Sequence, residues 1–237
     1  MADRSPPAAS APAELVLGPV TVSFQRYARP EEGFVGRTPP SHGALPVAAA
    51  GGDHLVAVPE DEAFWLGLVA RSPRQPALVR VAAVVGGARL DALAGAGEAE
   101  PGPEAAGVQV PGTVAVNGVA RAAGGAWCFT RVARAPGAPA CTALILEVVP
   151  GPEREAAPSR GPEPLRAPPR GAPTGAPTGA AAPPGSAADA PEGGWQLDRR
   201  VELRVELVAP EDFAARAGLP PPAPLRDQAA YRGWRLP

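Results

Sequence analysis

WQLDRRVELRVELV, residues 195–208, decides the fold. Within it Val201, Leu203, Val205 and Leu207 alternate with Glu202, Arg204 and Glu206. Side chains leave a strand on opposite faces in turn, so this two-residue period predicts a half-buried β-strand. A lone strand is not stable in water, so this one needs partners elsewhere in the chain. Residues 150–193, immediately before it, cannot supply them. That segment contains 12 prolines and a tandem GAPTGAPT, and its only large aliphatic residue is Leu165. Such a composition buries too little apolar surface to offset the entropy of ordering. The partners must precede residue 150, and residues 150–193 are expected to be a disordered insertion. Loop-closure entropy grows only logarithmically with length, so a long insertion costs little.

Strand signals crowd the preceding segment. They fall at 20–27 (VTVSFQRY), 54–58, 63–70 (AFWLGLVA), 77–85 (ALVRVAAVV), 108–110, 113–120, 126–133 and 141–149 (CTALILEVV). Asn117-Gly118, between Val116 and Val119, is the strongest hairpin signal, because both residues tolerate positive φ. The Gly-Gly pairs at 51–52, 86–87 and 124–125 read as turns, since none follows a strand and opens a helix as a phosphate loop must. Helical periodicity is confined to residues 211–217 and, as a second candidate, 88–94 (ARLDALA). The predicted fold class is all-β: one sandwich or barrel-like domain with one or two short helices. The expected layout is a disordered tail over 1–12, the main β part over 13–149, the insertion over 150–193, the last strand and short helix over 194–217, and a Pro-rich tail over 218–237.

Charge and composition narrow the function. All 22 basic residues are arginine, and the net charge is −2. Arginine without lysine, in a chain with 34 prolines and 28 glycines, fits a GC-rich coding sequence. No segment concentrates positive charge, which argues against nucleic acid and acidic lipid as partners. No apolar run reaches the ~20 residues of a membrane helix, and the first residues lack the apolar stretch of a secretory signal. A cytoplasmic location away from the membrane is expected, and two cysteines suit it. If 126–133 and 141–149 form a hairpin folded near Gly137, Cys128 and Cys141 lie about 15 Å apart along the ladder. A disulfide needs Cα atoms within ~7 Å, so two free structural thiols are expected.

Several segments together carry a resemblance: SFQRYARPEEGF (23–34), TPPSHGALPV (38–47), DEAFWLGL (61–68), LVRVAAVVGGARLDALAG (78–95), VQVPGTVAVNG (108–118) and VELRVELVAPEDF (201–213). In their order they resemble an uncharacterised bacterial family with an N-terminal Phe-Gln-Arg signature and a central acidic-aromatic block. The resemblance implies one β-rich domain and transfers no activity. The chain departs from the family pattern at Ala115-Val116, where an aromatic usually precedes the turn. It also has Arg80 and Arg89 where the family usually has a lysine.

Candidate chemistry is thin. His42 and His54 match no metal-ligand spacing and no Cys-x-x-Cys exists, so no metal site and no cofactor are expected. Cys128 or Cys141 with His54 could form a nucleophile and base. Both thiols lie in apolar runs, where buried cysteines are inert, so no catalytic residue is assigned. Glu60-Asp61-Glu62, before Ala63-Phe64-Trp65, is the sharpest cluster. Trp65, Trp127 and Trp195 lie in strand-like segments and are expected in the core. Tyr231, Arg232, Trp234 and Arg235 form an aromatic and basic tail that could pack back on its own sheet or serve as a docking peptide, since Trp, Tyr and Arg dominate interface hot spots. The leading expectation is a non-enzymatic β-domain that binds other proteins through this tail or joins an assembly. The alternative is a small-molecule-binding or hydrolytic β-barrel with a site near Glu60, Asp61, Glu62 and Arg80.

Overall fold

The computed structural model describes residues 11–94, 107–112, 114–153 and 194–225. Among these residues the strands are β1 (Glu14–Leu17), β2 (Val20–Ala28), β3 (Phe34–Val35), β4 (Val47–Ala50), β5 (Asp53–Ala57), β6 (Glu62–Ala70), β7 (Ala77–Val85), β8 (Ala88–Asp91), β9 (Val108–Val110), β10 (Ala115–Val116), β11 (Gly118–Ala120), β12 (Ala126–Cys128), β13 (Cys141–Pro150) and β14 (Val201–Val208). A 3-10 turn (Leu197–Arg199) and one α-helix, α1 (Pro210–Ala217), complete them. The fold is all-β. Residues 1–10 of the expected N-terminal tail (1–12), 154–193 of the expected insertion and 226–237 of the expected C-terminal tail (218–237) lie outside the described residues.

Two sheets face each other and a third, small one flanks them. The first runs β1-β2-β6-β10 and the second β4-β5-β14-β13-β7-β8, with β9 beside β7 on the same edge as β8. The third is β11-β12-β3. None closes into a barrel. Val20, Val22, Phe24, Leu66 and Leu68 of the first sheet bury against Val79, Val81, Leu144, Leu146, Val205 and Leu207 of the second. Each such large aliphatic or aromatic side chain contributes about 1.5–3 kcal/mol when fully buried.

The decisive strand docks as its period predicts. β14 lies between β13, to which it is antiparallel, and β5, to which it is parallel. Val205 and Leu207 face the core. Val201 remains 40% exposed, because β5 meets β14 only from Val205 onward. Beyond β14, Pro210 opens α1 and Gly218, with φ 66°, ends it as a left-handed cap. Phe213 is fully buried against Ala48, Leu55, Ala57 and Val208, so α1 covers the outer face of the second sheet at its β4-β5-β14 end.

Four expectations need correction. Residues 88–94 begin a strand, β8. Gly86 and Gly87, at φ 57° and 89°, form the tight turn that brings Ala88 opposite Val85. Asn117-Gly118 does not join a hairpin. β10 pairs with β6 while β11 pairs with β12, so the chain changes sheets there. Gly118 is needed at that crossing, since a Cβ would lie 1.8 Å from the Trp127 carbonyl oxygen. The hairpin expected between 126–133 and 141–149 is absent, because β13 pairs with β7 and β14 instead. Both thiols are nevertheless free and buried. Finally, Trp65, Trp127 and Trp195 are only half-buried. The aromatic core is Phe24, Tyr27, Phe64, Phe129 and Phe213. An indole N–H needs an acceptor, and Trp65 finds the Pro39 carbonyl at 3.1 Å, near the surface.

Candidate functional site: a buried ion pair at the end of the sandwich

The inward face of β2 reads Val20, Val22, Phe24 and then Arg26. The inward face of β6 reads Leu68, Leu66, Phe64 and then Glu62. The two strands are antiparallel neighbours, with Phe24 opposite Leu66 and Arg26 opposite Phe64. Two apolar alternations therefore end, side by side, on opposite charges. Arg26 Nη2 donates to Glu62 Oε1 at 2.8 Å, and the two side chains are 9% and 1% exposed. Beneath them Phe64 packs edge-on to Phe24 and stacks on Phe129. Thr130, also buried, donates its hydroxyl to the Glu62 carbonyl at 3.3 Å.

Burial pushes the Glu62 carboxyl above its ordinary value, against the opposing pull of Arg26 and of the Leu225 N–H. A buried ion pair offsets its desolvation only with good geometry and further hydrogen bonds. Here the further bonds come from the C-terminal extension. Arg26 Nη2 also donates to the Ala223 carbonyl at 2.7 Å, and the Leu225 N–H donates to Glu62 Oε1 at 3.3 Å. Arg26 Nε and Glu62 Oε2 are buried and have no hydrogen-bond partner among the described residues.

A more exposed shell surrounds the pair. Arg134 donates to Glu60 at 2.8 Å, and this contact holds the Glu60 carboxyl below its usual range. Both side chains are more than half exposed, so solvent screens the bridge. Arg29 donates to the Thr130 hydroxyl and the Val132 carbonyl, while its own N–H bonds the Asp61 carbonyl. Burial, and then Arg134, lower the Arg29 guanidinium below its usual value.

The four residues Glu60, Asp61, Glu62 and Arg80 are not brought together. Arg80 lies on β7 in the second sheet, opposite Glu147 in register and bonded to it at 2.5 Å. Its strand neighbours Val79 and Val81 are the ones that face the core. The cation that Glu62 meets is Arg26. It stood in the Phe-Gln-Arg segment, and the signal that finds it is the run of inward positions ending in charge. The contribution of Ala223 and Leu225 had no sequence signal, because it is made by their main chain. Tyr231, Arg232, Trp234 and Arg235 lie outside the described residues.

His42 is exposed in a loop, and His54 is half-buried on β5. No three of His, Cys, Asp and Glu gather as a metal site among the described residues. Burial pushes the thiols of Cys128 and Cys141 up to about 11 each, which leaves them protonated and unreactive at neutral pH. Among the described residues no helix is long and apolar enough to cross a membrane. No protein-family model, no curated protein and no solved structure matches the chain.

Proposed function

We propose that this chain is a non-enzymatic cytoplasmic β-sandwich that binds another protein or takes a place in an assembly, and that its C-terminal extension makes the contact. One observation carries this reading. The extension is hydrogen-bonded to the sandwich at Ala223 and Leu225 through the Arg26–Glu62 pair. Tyr231 is six residues further on, within about 20 Å of that anchor for a fully extended chain. Arg232, Trp234 and Arg235 follow Tyr231 in the chain, up to ten residues from the anchor. A partner bridging tail and sandwich would meet both surfaces at high effective concentration. Of the acidic block it is Glu62 that serves as the anchor, accepting from Arg26 and from the Leu225 N–H.

The test compares the full chain, a chain truncated after Asp227 and a Tyr231→Ala/Trp234→Ala chain. Each is immobilised, exposed to bacterial cytosol and washed, and bound proteins are quantified. Circular dichroism should report the same fold for all three. Partners retained by the full chain and lost from both variants are expected. The same partners on all three, or none on any, would refute the reading.

A further inference from the structure

The contact between the extension and the ion pair has a pattern of its own. Residues 219–225 read LPPPAPL. Each proline fixes φ near −65° and disfavours helix at the residue before it, so the segment is held extended. Its prolines offer no N–H, and from Pro220 to Pro224 only Ala223 has one. Such a segment cannot join a sheet as an ordinary strand. The Arg26–Glu62 pair supplies what it lacks. The guanidinium takes the carbonyl of Ala223, and the carboxylate takes the N–H of Leu225. Pro224, between them, has no N–H and so needs no acceptor. The two side chains thus present one donor and one acceptor to residues i and i+2, as a neighbouring strand would to an extended chain.

We infer that the Arg26–Glu62 pair is a main-chain clamp for an extended Xaa-Pro-Xaa segment of another polypeptide, and that the chain's own residues 223–225 occupy it in cis as an exchangeable occupant. Three observations support exchange. The bonds run to backbone atoms, so they select conformation and the central proline more than side chains. Ala223 and Pro224 are exposed and Leu225 only half-buried, so little apolar burial holds the cis occupant in place. Glu62 Oε2 and Arg26 Nε remain buried without partners among the described residues, so the cis contact leaves part of the pair's bonding capacity unused. This inference goes beyond the tail-borne contact proposed above and fails separately from it.

The probe is a fluorescein-labelled peptide of residues 219–227, LPPPAPLRD, with the same peptide N-methylated at Leu225 as its control. The control keeps the leucine side chain and lacks the N–H that Glu62 accepts. Fluorescence anisotropy is measured with the full chain and with full-length Leu225→Pro, whose own extension has lost the same donor. The first peptide should bind Leu225→Pro about tenfold more tightly than wild type, and the control should bind neither. Equal binding of the two peptides, equal affinity for the two proteins, or no binding at all would overturn the clamp. If Leu225→Pro fails to fold, both peptides are titrated into wild-type protein while amide exchange at Leu225 is followed. The first peptide should then accelerate that exchange and the control should leave it unchanged; any other pattern contradicts exchange at this site.

Discussion

Glu62 carries a carboxyl that burial raises above its ordinary value of 4.5, and the sign of that shift can be measured. A raised carboxyl binds its proton more tightly in the folded state than in the unfolded one. Its contribution to stability is complete below the unfolded value and is lost as the pH rises through the folded one. Glu62→Gln removes this titration. It also leaves Arg26 without its counter-charge, which adds a penalty that does not change over the same range. The slope is therefore the informative quantity. Urea unfolding between pH 4 and 7 should show wild type losing stability relative to Glu62→Gln as the pH rises. A difference that is flat, or that runs the other way, would mean that Arg26 outweighs desolvation. At this scale the sequence was partly legible. Glu60-Asp61-Glu62 stood out as a charged block, but its three members have separate fates. Glu60 is exposed, Asp61 half-buried and Glu62 fully buried. Only the face each one occupies on or beside β6 distinguishes them, and that face is set by pairing with β2.

β14 shows how far a period can be read. Its alternation predicted a buried face, and Val205 and Leu207 lie on it. The first half of the strand has β13 on one side and no β5 on the other, so Val201 stays exposed and Leu203 only half-buried. Burial along β14 therefore increases toward its C-terminal end. Val205→Asp should destabilise by several kcal/mol, about the cost of an unpaired charge in a core. Leu203→Asp should cost less, and Glu202→Ala should fall within about 0.5 kcal/mol of wild type. Chemical denaturation of the three variants checks the order. Equal effects at 203 and 205 would mean that the sheet ends elsewhere. The other long apolar runs, β2, β6, β7 and β13, were equally legible because each spans nine or ten residues. Strands β1, β3, β4 and β8 were not. With two to four residues each, they show no period, and their existence depends on the neighbour they pair with. ARLDALA could satisfy a helix template, and the two glycines before it decided otherwise.

The sandwich is built from both sides of the insertion. β13 and β14 are antiparallel, with Val148 opposite Val201, so residues between them form the connection of a hairpin. The Gln196 N–H bonds the Pro150 carbonyl at 2.9 Å, which places the two ends of that connection together. Without β14 the β4-β5 pair would have no link to β13, and without α1 its outer face would be bare. The extension that follows then reaches the Arg26–Glu62 pair on the first sheet. Residues 194–225 thus contact both sheets of the domain, and their hold should survive loss of the covalent connection. The most direct measurement is to place a specific protease site within residues 171–178, cleave the folded protein and pass it over a size-exclusion column under native conditions. The two fragments should elute together at the volume of the uncut chain and separate only in denaturant. Fragments that separate in native buffer would contradict a single sandwich completed from beyond the insertion, and with it the anchoring of the C-terminal extension.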